Sequence, residues 1–156
     1  MTETLERQLQ DAAANGDLSR CMRLVAAGVD ASAGGSWALV RAAQGGHLEV
    51  CRLLLENGAN ADDRESWALS LAASSGRFAA CRLLIAHGAK PTHVSNYIRH
   101  QALSAMTAAD ADVAEAFFPD HDREWVVAAA ITAGNQILAD GFRGLGRTPR
   151  SVPPAS

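Results

Sequence analysis

Cys21, Cys51 and Cys81 stand thirty residues apart in this 156-residue chain. The same spacing separates Gly16, Gly46 and Gly76; Gly28, Gly58 and Gly88; Leu24, Leu54 and Leu84; and the pairs Ala12-Ala13, Ala42-Ala43 and Ala72-Ala73. Residues 36–59 and 66–89 align without a gap. One period shared by five classes of position means that a single small unit is repeated, so the fold must be an array in which each unit packs on its neighbours.

Each unit reads as two short antiparallel helices. The first is expected to start after Ser36 or Ser66, residue types that cap helix N-termini, and to end at Gly45-Gly46 or Ser75-Gly76. The second runs from Leu48 to Asn57 or from Phe78 to His87 and stops at Gly58 or Gly88. Leu48, Cys51, Leu54 and Leu55 place its apolar residues on one helical face. Neither helix hides that face alone, and stacking the copies does. The composition agrees: 48% of residues are hydrophobic but only 5% aromatic, and about a fifth are Ala, which lets helices approach closely.

The string Ala-Ala-x-x-Gly-His-x-x-Val-x-x-Leu-Leu-x-x-Gly-Ala, nearly intact at 42–59 and 72–89 and recognisable at 12–29, resembles the ankyrin repeat. The resemblance covers at least residues 4–90 and implies an all-α solenoid of stacked helix-turn-helix repeats. Two departures mark a short, thirty-residue variant. Trp37-Ala-Leu-Val and Trp67-Ala-Leu-Ser replace the family's Thr-Pro-Leu-His, and the segment from Gly58 to Ala72 is three residues shorter than in the 33-residue form. The shortening falls in the hairpin between repeats and predicts a tight turn at Asp62-Asp63-Arg64-Glu65.

Four to five repeats are expected within a domain spanning 1–140: 4–33, 34–63, 64–93, 94–121 and a degenerate cap at 122–140. Glu6, Arg7, Gln8 and Gln10 give the first helix a polar outer face. The register of the fourth repeat stands open, because Tyr97 lies thirty after Trp67 whereas Ala105-Met106 lies thirty-three after Ala72-Ala73. Residues 141–156, without periodicity, are expected to form a disordered basic tail. That tail holds Arg143, Arg147 and Arg150 and no acid, so residues 1–140 carry 11 basic against 17 acidic residues, a net −6 within the chain's −3. Such a body is a poor partner for nucleic acid. No apolar run approaches the ~20 residues of a membrane span, and the N-terminus lacks the pattern of a secretion signal. A cytoplasmic monomer is the expectation.

Candidate chemistry is sparse. Equivalent positions on stacked units lie roughly 8–10 Å apart, whereas a disulfide needs Cα atoms about 4.4–6.8 Å apart. The three cysteines therefore read as buried core residues. His47 is expected to tie its helix turn to the neighbouring hairpin, with Asp17, Arg77 and Asn135 in the same slot. His87, His93, His100 and His121 lack metal-ligand spacing, an approach of His93 to His100 being the one arrangement to watch. Gly141-x-x-Gly144-x-Gly146 has no strand before it, as a phosphate cradle requires. The acids Asp110, Asp112, Glu115, Asp120, Asp122 and Glu124 lack the Gly and distal Glu of a calcium loop and read as helix-start charges. No cofactor, metal or catalytic residue is assigned.

The resemblance implies a protein-binding module that uses the concave face and the inter-repeat turns. Carried over position by position, the partner-contacting residues are Asn15, Gln44, Ser74 and Ser75 after the Ala pairs, Asn57 and His87 before the closing Gly, and Asp62, Asp63, Arg64 and Glu65 in the turn. Arg41 projects from the first helix. Trp37 and Trp67 either pack along the stack or anchor a partner, as interface Trp residues do. The partner is an unidentified protein with a positive or mixed surface. Competing classes are an inhibitor or immunity-type protein, a secreted effector, and an enzyme or enzyme subunit using 91–140.

Overall fold

The computed structural model describes residues 2–145; it contains ten α-helices and no strand among those residues. They form pairs: α1 (Thr2–Asn15) with α2 (Leu18–Ala26), α3 (Ala33–Gly45) with α4 (Leu48–Glu56), α5 (Asp63–Ser74) with α6 (Phe78–Ala86), α7 (Asn96–Ala105) with α8 (Ala111–Phe117), and α9 (Arg123–Thr132) with α10 (Gln136–Leu145). The odd-numbered helices pack in series as an inner layer and the even-numbered helices as an outer layer. The all-α solenoid is thus the observed architecture. None of the described helices is long and apolar enough to cross a membrane.

The core is a set of columns running along the stack. Ala42, Ala43, Ala72, Ala73, Cys51, Cys81, Leu54 and Leu84 are all buried. Small Ala side chains allow the inner helices to close on one another, and the Leu and Cys columns fill the gap to the outer layer. Val50 and Ala80 complete the buried faces of α4 and α6.

The structure resolves the register of the fourth repeat. Ala102 and Leu103, thirty after Ala72 and Ala73, are buried in the place of the Ala pair, and Ala111 and Ala114 continue the Cys and Leu columns. One column breaks: Arg99 replaces the buried Leu39 and Leu69. Its guanidinium donates to the Phe117 carbonyl at 2.6 Å and lies 5.5 Å from the Phe118 ring centre. A cation in a core column needs such partners, which accounts for the irregular sequence around it.

Three expectations are corrected. Ser36 and Ser66 do not cap α3 and α5. Both lie in left-handed triplets, Gly34-Gly35-Ser36 and Arg64-Glu65-Ser66, that precede the regular helical turns, with φ of 56° and 58° at the two serines. Their buried hydroxyls reach into the next turn instead: Ser36 Oγ accepts the Asn60 N–H at 2.9 Å, and Ser66 Oγ accepts the Lys90 N–H at 2.8 Å. The expected tight turn is accordingly a left-handed one. Second, the His47 ring meets the preceding inner helix rather than a hairpin, with Nε2 3.0 Å from the Ala14 carbonyl. Arg77 reaches the Gln44 carbonyl at 3.4 Å and Asn135 the Met106 carbonyl at 2.7 Å, so the slot staples each pair to the helix end before it.

Third, the loose tail does not begin at Gly141. Helix α10 continues to Leu145, because Phe142 is buried in the core beside Leu138 and Ala139. Gly141 allows this seat: a Cβ there would stand 2.5 Å from the Ala108 Cβ. The remainder of the expected tail, 146–156, lies outside the described residues.

Candidate functional site

The inner helices repeat an i, i+4, i+7 row that faces away from the outer layer. It holds Trp37, Arg41 and Gln44 on α3, and Trp67, Leu71 and Ser74 on α5. On α7 it holds Tyr97, Gln101 and Ser104, and on α9, with the register shortened by two residues, Trp125, Ala129 and Thr132. Arg41, Gln44 and Ser74 are exposed. Trp37 and Trp67 are half-buried and pair with ring centres 4.9 Å apart, tilted 56°. They border the groove and also contact each other along the stack. The result is an aromatic column, Trp37, Trp67, Tyr97 and Trp125, across four repeats.

The column ends in a cavity of about 640 Å³ between α7 and α9, walled by Tyr97, His100, Gln101, Ser104, Trp125, Ala128, Ala129, Thr132 and Ala133. Tyr97 is 76% exposed at its edge. The Trp125 wall is held from behind: His121 stacks on the indole at 3.7 Å with an 11° tilt, and Phe118 lies 5.2 Å away. Asp122 accepts the Trp125 N–H at 2.8 Å and so fixes the start of α9. A large aromatic surface with a few hydroxyl and amide groups suits a side chain or short segment of another molecule.

Sequence reading passed over this cavity. Its signal was present in Tyr97, thirty after Trp67, but the open register hid it, and Trp125 falls two residues short of the period.

The inter-repeat turn residues are engaged within the chain. Asp62 takes the Ser66 hydroxyl, the Lys90 ammonium at 3.3 Å and His93 Nδ1 at 3.1 Å. The Ser66 hydrogen bond, followed by Lys90 and His93, holds its carboxyl below the usual range. Asp63 accepts the Ser36 hydroxyl at 3.1 Å and the Arg64 N–H at 3.0 Å. Arg64 donates to the Gly34 carbonyl at 3.1 Å and lies 5.6 Å over Trp67. Glu65 is exposed and makes no ion pair among the described residues.

Asn15, Ser75, Asn57 and His87 stand exposed at helix ends. Asn57 and His87 follow the outer helices α4 and α6, so they do not share the row of Trp37 and Trp67. Asn57 turns back to the Leu53 carbonyl at 2.7 Å.

Among the described residues, no group of three or more His, Cys, Asp or Glu is placed to hold a metal ion. His93 turns to Asp62, and His100 to the Asn96 carbonyl at 2.7 Å. Four acids of the stretch serve structure: Asp110 closes a capping box with Thr107, Asp112 pairs with Arg82 at 2.6 Å, Glu115 pairs with Arg123 at 2.6 Å, and Asp122 caps α9, while Asp120 and Glu124 are exposed. The free thiols of Cys51 and Cys81 are pushed up to about 12 by burial, which leaves them neutral and unreactive.

Comparison with known proteins agrees with this geometry. Residues 9–95 match the family model described as ankyrin repeats, in three copies. Among curated proteins, none matches the chain at a significant level. The matched segment exceeds half of the chain, and the helix pairs, Gly turns and Ala columns within it are those described above, so the chain belongs to the ankyrin-repeat family, whose repeats are generally protein-protein interaction modules.

Proposed function

We propose that the chain binds a partner protein along its inner-helix groove, with the cavity between α7 and α9 as the anchor point. The observation that carries this reading is the aromatic column, which places Trp or Tyr at one position in four successive repeats and leaves Tyr97 76% exposed. Stacking does not require an exposed tyrosine, whereas partner recognition uses rigid aromatic anchors at low entropic cost. Arg41, Gln44, Ser74, Gln101, Ser104 and Thr132 supply a polar border to the column. The acidic body, with Glu65 and Glu124 exposed beside the column, favours a partner with a positive or mixed surface.

Affinity capture with mass spectrometry, comparing wild type with Tyr97→Ala combined with Gln101→Arg, tests this. Both residues project into the groove, so circular dichroism of the variant is expected to match wild type. A partner retained by wild type and lost by the variant supports the groove. A partner retained equally by both places recognition elsewhere.

A further inference from the structure

We propose that the cavity between α7 and α9 receives an arginine side chain of the docked partner. The inference rests on the groove reading above and adds the chemistry of its anchor point. The hydroxyls that line the cavity have already committed their protons. Ser104 Oγ donates to the Gln101 carbonyl at 2.7 Å and Thr132 Oγ1 to the Ala128 carbonyl at 2.9 Å, so both oxygens, as placed, face a ligand as acceptors. His100 Nδ1 lies 2.7 Å from the Asn96 carbonyl, which requires a proton on that nitrogen and leaves Nε2 of the neutral ring an acceptor. Tyr97 and Trp125 add π-surfaces, whose negative quadrupole attracts cations. Among the described residues, no Lys or Arg lines the cavity.

Charge near the cavity has the same sign preference. Asp120, Asp122 and Glu124 precede Trp125, against Arg123, which pairs with Glu115 at 2.6 Å. Arg99 is not a wall of the cavity and gives its guanidinium to the Phe117 carbonyl. The aromatic column itself shows how a guanidinium is seated: Arg64, three residues before Trp67, lies 5.6 Å over that ring. The residues three before Tyr97 and Trp125 are Val94 and Asp122, and among the described residues no cation covers either ring. An apolar occupant would strip water from the Ser104, Thr132 and His100 acceptors without replacing its hydrogen bonds. A carboxylate would meet lone pairs, π-surfaces and the acidic start of α9. An ammonium matches the charge, but a guanidinium also lies flat on an indole while its forked N–H groups reach separate acceptors.

Titration of the isotope-labelled full chain with the α-acetylated amides of arginine, lysine, norleucine and glutamate, followed by NMR, tests this. The arginine amide is expected to shift the Trp125 indole N–H signal saturably, with a Kd of about 1–10 mM, at least about fivefold tighter than any of the other three. Trp125→Phe identifies that signal by removing it. Ser104→Ala combined with Thr132→Val, both at exposed helix positions, is expected to keep wild-type helicity and to weaken the arginine amide at least about threefold, with norleucine unchanged. Arg147→Ala combined with Arg150→Ala is expected to leave arginine binding as in wild type. Another amide binding as tightly as arginine, no saturable shift up to about 20 mM, or full affinity in the hydroxyl variant overturns the proposal. Tighter arginine binding by the Arg147→Ala, Arg150→Ala protein also overturns it, by placing the chain's own C-terminal segment in the cavity. Because the titration needs no partner, it can fail while capture through the groove succeeds, and the two readings are decided separately.

Discussion

The Ser66 hydroxyl accepts the backbone N–H of Lys90 at 2.8 Å, as the Ser36 hydroxyl accepts that of Asn60 at 2.9 Å, so one residue type joins each left-handed turn to the next. Arg64, Glu65 and Ser66 hold this turn with φ between 50° and 58°, a conformation that costs L-residues roughly 1–2 kcal/mol each. Bonds across the repeat boundary offset that cost, and the two contributions can be separated by mutation.

Ser66→Ala keeps the left-handed backbone and removes the acceptor of the Lys90 N–H together with a donor to Asp62; a loss of about 1–3 kcal/mol in urea unfolding is expected. Glu65→Gly removes strain at an exposed residue that makes no ion pair, and a gain of about 1 kcal/mol is expected. Gly35, its counterpart one repeat earlier, already has this solution. A destabilised Glu65→Gly protein would contradict the strain assignment.

Gly16 and Gly28 both have positive φ, but they differ in surroundings. A Cβ at Gly16 would stand 2.5 Å from the His47 ring, whereas nothing lies within 4 Å of one at Gly28. Gly16→Ala is expected to cost at least about 1 kcal/mol more than Gly28→Ala, and the excess should shrink in a His47→Ala background. Four unfolding curves, with wild type as reference, decide the matter.

Asp62 gives acid unfolding a predictable sign. Its carboxyl titrates below the ordinary 3.8 when folded. Its contribution is therefore fully present above that ordinary value and is lost as pH falls through the lower folded value. Asp62→Asn is expected to be less stable than wild type at neutral pH, with the gap closing as pH falls below the ordinary 3.8. A gap that is constant with pH would remove the carboxylate from the account.

The buried thiols act at the other end of the scale. Burial raises Cys51 and Cys81 from an ordinary 9.0 to about 12, so the folded chain resists their ionisation. Stability linked to them is fully present below pH 9.0 and declines as pH rises from there toward 12. At pH 8 a thiol reagent should react slowly with native protein and fully with all three cysteines after unfolding. Fast native labelling of Cys51 or Cys81 would show that their column opens readily.

Much of the fold was legible in the chain because its rules are short-range. Gly turns, apolar faces and a fixed period each depend on residues within one unit, and they led to helix pairs in a stack. The candidate site was legible only where the period held, at Trp37, Arg41, Gln44, Trp67 and Ser74. It was lost at Tyr97 and Trp125, where Arg99 breaks a core column and a two-residue shortening shifts the register.

The amino-acid sequence by itself determined the repeating unit, the all-α stack and the small residues that let its layers close. The tertiary structure decided what depends on groups 24 to 33 residues apart meeting across a repeat boundary: Ser66 on Lys90, His47 on Ala14, and Arg77 on Gln44. It also decided that Asp62 faces Lys90 and His93 in the next turn. Periodicity specifies which residues recur, whereas the distance between stacked helices selects which of them touch.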